Sequence, residues 1–146
     1  MNYSILDLDK VAGEVVGAAR KRAAPNHATL ITFSGNLGAG KTTLVQSIAR
    51  NLGITSDLQS PTYVIYKKYE IPESDQKLPW KNLIHADMYR LASANELAVL
   101  GWSELLENPE NLMCVEWPEQ VSEAIPDWAI KVVLEYQGQD MRNIDF

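Results

Sequence analysis

The stretch GNLGAGKTT, residues 35–43, sets Gly35, Gly40, Lys41 and Thr42 at the spacing of a phosphate-binding loop, G-x-x-x-x-G-K-[ST]. Each residue type has a chemical reason. Glycines at 38 and 40 allow the backbone angles that turn successive N–H groups toward phosphate oxygens. A helix starting near Lys41 adds the positive end of its dipole. The Lys41 ammonium suits the β- and γ-phosphates, and the Thr42 hydroxyl suits Mg²⁺. Asn36, Leu37, Gly38, Ala39, Gly40, Lys41, Thr42 and Thr43 are therefore the expected contacts to a nucleoside triphosphate with its Mg²⁺. No DxxG or NKxD guanine motif occurs, which favours ATP.

Phosphoryl transfer also needs a metal partner and a group that orients the attacking water. Two carboxylates are candidates, Asp87 at the end of NLIHAD and Glu116 at the end of NLMCVE. Both follow apolar runs, so in a parallel sheet they stand at strand tips beside the glycine loop. One would join Thr42 as a metal residue and the other would orient water; spacing leaves the assignment open. His85 shares a strand face with Asp87 by alternation. It is either a hydrogen-bonded strand histidine or a partner of Asp87. Arg90 can reach a phosphate or pair with an acid. Ser60 and Thr62, in SPTY, offer hydroxyls to a γ-phosphate or a metal-bound water, as a switch segment does. Trp117 is near the site or packs in the core. Cys114, the sole cysteine, reads as a buried structural thiol.

The elements that must position these groups follow from pattern. Leu8, Val11, Ala12, Val15 and Ala19 recur at helical spacing over residues 7–23, a helix with a basic C-terminal end. TLITF, 29–33, is a buried strand, and residues 41–52 form a helix ended by Gly53. Further strands are expected at 62–70, 82–87, 111–117 and 129–136. Helices are expected at 92–101, capped by Ser93 or Asn95, and at 118–125 with Pro118 in the first turn. Residues 71–79 read as a surface turn and the tail after Gly138 as loose. Strands alternating with helices imply an α/β, three-layer P-loop NTPase-like fold. Its sheet is mainly parallel, with some antiparallel pairing near 62–70. One domain spanning 1–146 is expected.

Composition narrows the function classes. With 19 acidic against 13 basic residues, net charge −6, the chain lacks the positive field of a primary nucleic-acid binder, and DNA is not expected. No apolar run reaches membrane-spanning length and no signal-peptide order opens the chain, so a cytoplasmic, membrane-free setting is expected.

Taken together, GNLGAGKTT, SPTY, HADMYR, ELAVLG and EWPE resemble, in order and spacing, the bacterial TsaE (YjeE) family. The resemblance runs from the first helix to the last strand. It implies a small ATPase serving synthesis of threonylcarbamoyladenosine in tRNA, docking on a TsaB–TsaD heterodimer and touching tRNA indirectly or weakly. By resemblance, Lys41 and Thr42 are phosphate and metal residues, and Thr62 falls in the switch-like SPT motif. Asp87 matches the Walker B-like acid and Glu116 the second acid at the metal. Catalytic roles are thus expected for Lys41, Asp87, Glu116 and Thr62. One departure stands out. The family's usual aspartate at the second loop position is Asn36 here, and an amide can neither carry charge nor act as a base.

Two other classes compete with this reading. A small P-loop kinase closes a lid bearing several arginines. Of Arg20, Arg22, Arg50, Arg90 and Arg142, only Arg90 is expected near the site, and no lid-sized insertion is evident. A non-hydrolysing adaptor, in which nucleotide merely orders a docking surface, is the other alternative.

Overall fold

The computed structural model describes residues 1–59, 61 and 64–146. Its spine is a seven-stranded sheet in the order β1-β7-β6-β2-β5-β4-β3. The central strands β6 (Ile130–Gly138), β2 (Thr29–Ser34), β5 (Asn111–Glu116) and β4 (Asn82–Asp87) run parallel. Antiparallel strands close both edges: β3 (Tyr66–Glu70) against β4, and β7 (Met141–Asp145) then β1 (Asn2–Ser4) beyond β6.

Pleat alternation divides the core. From β2 and β5, Ile31, Phe33, Leu112 and Cys114 face α1 (Leu8–Lys21) and α2 (Lys41–Asn51). Leu30, Met113 and Val115 face the opposite layer, which is made of α3 (Trp102–Glu107) and two 3-10 segments, Ala94–Leu100 and Pro118–Ala124. The helices thus cover both faces of β2, β4 and β5, whose residues are nearly all buried, as central parallel strands require, while β6 leaves alternate residues exposed. The three-layer α/β architecture expected from the alternation of elements is the one observed.

Several boundaries differ, each for a local reason. Of the strand expected at 62–70, Tyr66–Glu70 forms β3, and Ile65 just before it takes a positive φ of 64°. The helix expected at 92–101 is instead a 3-10 segment with Ser93 as N-cap. The Glu96 carboxylate accepts the Ala92 N–H there at 2.8 Å. Gly101 ends it at φ 71°, as expected, but the chain resumes at once as α3. The helix at 118–125 is also 3-10, interrupted at Val121. The tail after Gly138 is not loose: it is β7, whose Ile144 is buried between the sheet and α1. Cys114 is fully buried as expected, and burial pushes its thiol pKa well up.

Candidate functional site

Parallel pairing aligns the tips of three strands. Phe33 of β2 is level with Glu116 of β5, which is level with Asp87 of β4. Glu116 has the parity of Leu112 and Cys114, so its side chain emerges on the α2 face, where the glycine loop delivers Lys41 and Thr42. Ligands in open α/β sheets bind at these carboxyl ends. A cleft of about 390 Å³ opens there, lined by Leu37, Gly38, the first residues of α2, Asp87, Tyr89, Glu116, Trp117 and Arg142. A larger hollow, about 660 Å³, lies at the far end of β4 around Glu70–Lys81 and contains no loop residue. Convergence of chemistry, not volume, marks the first as the site.

The loop is built as the glycine pattern requires. Gly38 and Gly40 take φ values of 80° and 100°, and the N-cap of α2 is Gly40 itself, which has no side chain to cap the amides of the first turn. At Gly35 a Cβ would stand 2.4 Å from the Leu134 carbonyl oxygen of β6, so only glycine passes. Ala39 turns its methyl into the core. Asn36 contributes its backbone: its carbonyl accepts the Ala39 N–H and the Lys41 ammonium, each at 3.0 Å. Of the eight loop positions expected to bind, Leu37, Gly38, Gly40, Lys41, Thr42 and Thr43 line the cleft, while Asn36 and Ala39 do not.

Lys41 is buried and arches back over the loop, donating to the Gly35 and Asn36 carbonyls. Its ammonium sits 4.1 Å from the centroid of the Trp117 ring, a cation–π contact. Burial lowers its pKa below the ordinary lysine range, while Glu116, Glu119 and Asp87 pull the other way. Trp117 is held at φ 58°, with Tyr89 at 4.9 Å between ring centroids. The tryptophan is therefore a wall of the site as well as a cover of the core.

The carboxylates are divided by their partners. Glu116 Oε1 accepts the Thr42 hydroxyl at 2.7 Å, and its Oε2 meets His85 Nε2 at 2.6 Å. Asp87 Oδ1 accepts the Tyr89 N–H at 2.9 Å. Of the two readings of His85, the hydrogen-bonded strand histidine is the one observed, and its partner is Glu116 on the neighbouring strand. Arg90 is exposed and is not among the residues lining the cleft. Ser60, Thr62 and Tyr63 lie outside the described residues.

Two lining residues were missed in the sequence. Tyr89 sits inside the HADMYR motif and could have been read there. Arg142 belongs to the tail taken as loose, and only strand pairing brings it to the loop. Among the described residues no three His, Cys, Asp or Glu side chains form a self-contained metal cage. The donor set of one hydroxyl and one or two carboxylates instead suits Mg²⁺ held jointly with phosphates.

A strand, glycine loop and helix opening onto acid-tipped parallel strands define a P-loop α/β protein. The family model described as "Threonylcarbamoyl adenosine biosynthesis protein TsaE" matches residues 8–144. The Bacillus subtilis protein named tRNA threonylcarbamoyladenosine biosynthesis protein TsaE is 37% identical over 117 residues, covering 80% of this chain and 68% of its own. The Nostoc protein of the same name is 31% identical over 145 residues, covering 97% and 78%. The crystal structure of Bacillus subtilis YdiB superposes with a TM-score of 0.66 at 26% identity, over 99% of this chain and 82% of that one. The chain belongs to the TsaE family. No described helix is long and apolar enough to cross a membrane.

Proposed function

We propose that this protein binds and hydrolyses ATP with Mg²⁺, as an accessory of the machinery that makes threonylcarbamoyladenosine in tRNA. It works with a TsaB–TsaD-type heterodimer and resets that complex between turnovers. The observation that carries the reading is the direct bond from Thr42 to Glu116 beside a buried Lys41, at the mouth of a glycine-built loop. The relatives' shared name supplies the pathway.

Bound ATP with Mg²⁺ would supply the scissile phosphoryl group and the divalent charge that offsets its oxygens. The first-turn amides of α2 and the loop N–H groups hold phosphate oxygens. The Lys41 ammonium, which donates to the loop carbonyls of Gly35 and Asn36, would serve the β- and γ-oxygens. Thr42 and Glu116, hydrogen-bonded to each other at 2.7 Å, would hold the metal. Asp87, one strand farther out, orients the attacking water. With Asn36 unable to act as a base, no loop carboxylate competes for that role.

The test is ATPase measurement on the protein alone, with the TsaB–TsaD pair, and with tRNA added separately. Slow turnover alone and a clear rise with the pair is expected. An unchanged rate in the mixture refutes the partner role. Tight ATP binding without turnover in any mixture points to the adaptor instead.

A further inference from the structure

Sheet order places charge of opposite sign on opposite flanks of the glycine loop. The acids approach from β5 and β4, on one side of β2. From the other side, beyond β6, β7 delivers Arg142. Its Nε lies 3.7 Å from the position a Cβ on Gly40 would occupy. The guanidinium stacks on Tyr136, 4.5 Å from the ring centroid, and Nη1 donates to the Met141 carbonyl at 3.0 Å. Among the described residues no carboxylate forms an ion pair with it. Arg142 lines the main cleft and also a small neighbouring hollow walled by Tyr3, Ile5, Leu8, Gly40 and Thr43. Its charge also pulls down the Tyr3 phenol pKa, which burial otherwise raises.

In a P-loop the lysine serves the β- and γ-phosphates, the hydroxyl serves Mg²⁺, and the loop amides cradle the α- and β-phosphates. Here Lys41 and Thr42 lean toward Trp117 and Glu116, fixing the γ end on the β5 side. Arg142 stands at the opposite flank, by Gly40 and Thr43, where the α-phosphate must lie. We infer that Arg142 is a nucleotide-positioning residue whose guanidinium grips the α-phosphate from the β7 flank, remote from the transferring group. The inference rests on the nucleotide-binding reading above and adds a residue to it. Tyr136 is the shelf that keeps the guanidinium aimed, so less rotamer freedom is lost when phosphate arrives.

Contact at the α-phosphate is made equally in the ground and transition states, so its loss raises Kd and KM together and moves kcat little. The experiment is equilibrium titration of ADP and ATP by calorimetry, alongside steady-state ATPase assays. Arg142→Ala is expected to weaken ADP and ATP alike by about tenfold, the loss of one charge-assisted contact. Arg142→Lys recovers part of it, and Tyr136→Ala gives a smaller loss with the charge intact. Melting curves confirm that β7 remains folded in each variant. Unchanged ADP affinity in a folded Arg142→Ala overturns the inference. So does a loss confined to kcat, which would mark an arginine acting on the γ-phosphate. If the wild-type protein binds neither ADP nor ATP, the functional reading itself falls; if it binds both and Arg142→Ala matches it, only this inference does.

Discussion

His85 Nε2 and Glu116 Oε2 meet at 2.6 Å inside the sheet–helix interface, with His85 fully buried and Glu116 only 2% exposed. Among the described residues the other ring nitrogen, Nδ1, is buried without a hydrogen-bond partner. All of the histidine's hydrogen bonding is thus spent on one carboxylate. That carboxylate is in turn tied to Thr42, so the pair sets where the acid at the loop points.

His85→Ala should leave a buried carboxylate oxygen unmatched and a cavity beneath it. A stability loss of about 2–4 kcal/mol is expected in denaturant unfolding. His85→Gln, which restores an N–H donor, should recover a good part. If Glu116 is positioned through His85, kcat falls in the alanine variant while ADP affinity holds. Equal loss of both parameters would mean a purely structural role.

Glu116 and Asp87 are expected to fail differently. Glu116→Ala should cut turnover by about 10²-fold or more, with little change in ADP affinity, and should shift the Mg²⁺ midpoint upward. Asp87→Asn should cut single-turnover hydrolysis on a similar scale with the Mg²⁺ midpoint in place. Normal single-turnover hydrolysis by Glu116→Ala would remove it from the mechanism.

Lys41 yields a pH prediction. Its pKa is lowered in the fold, chiefly by burial, so in the window below the usual 10.5 the unfolded chain binds more protons than the native one. Nucleotide-free stability gains from this group as pH rises through that window, and below it the cost of burying the charge is constant. The stability difference between wild type and Lys41→Met should therefore move in favour of wild type toward alkaline pH. A flat difference would sink the assignment. The same variant should have no ATPase activity.

Two glycines of the loop separate space from backbone strain. A Cβ at Gly35 collides with the Leu134 carbonyl oxygen, whereas at Gly38 it meets nothing within 4 Å. Gly38→Ala should cost only the left-handed backbone penalty, about 1–2 kcal/mol. Gly35→Ala should cost upward of about 3 kcal/mol, because β6 backbone cannot yield cheaply. Chemical unfolding without nucleotide makes the comparison, and equal losses would refute it.

The parts of the site legible in the sequence were those written in local order. Lys41 and Thr42 follow their glycines directly, and Asp87 and Glu116 end apolar runs whose parallel pairing put them level. The partner of His85 was not legible. Alternation puts it on one face with Asp87 and allows a hydrogen-bonded strand histidine, but it cannot name Glu116, which only the pairing of β4 with β5 brings alongside. Helix type also escaped: the Ala94–Leu100 and Pro118–Ala124 segments are 3-10, and their capping and proline signals fit either helix type.

Local chemistry alone determined that a glycine loop between a strand and a helix would place Lys41 and Thr42 at the start of that helix, because φ freedom and side-chain type belong to single residues. Tertiary structure decided the rest. The edge strands β1 and β7 offer few apolar residues, chiefly Tyr3 and Ile144, and exist because β6 supplies an open ladder for them. That non-local pairing carries Arg142 from the far end of the chain to Gly40. Backbone hydrogen bonds between distant segments leave no periodic trace in the residues they join.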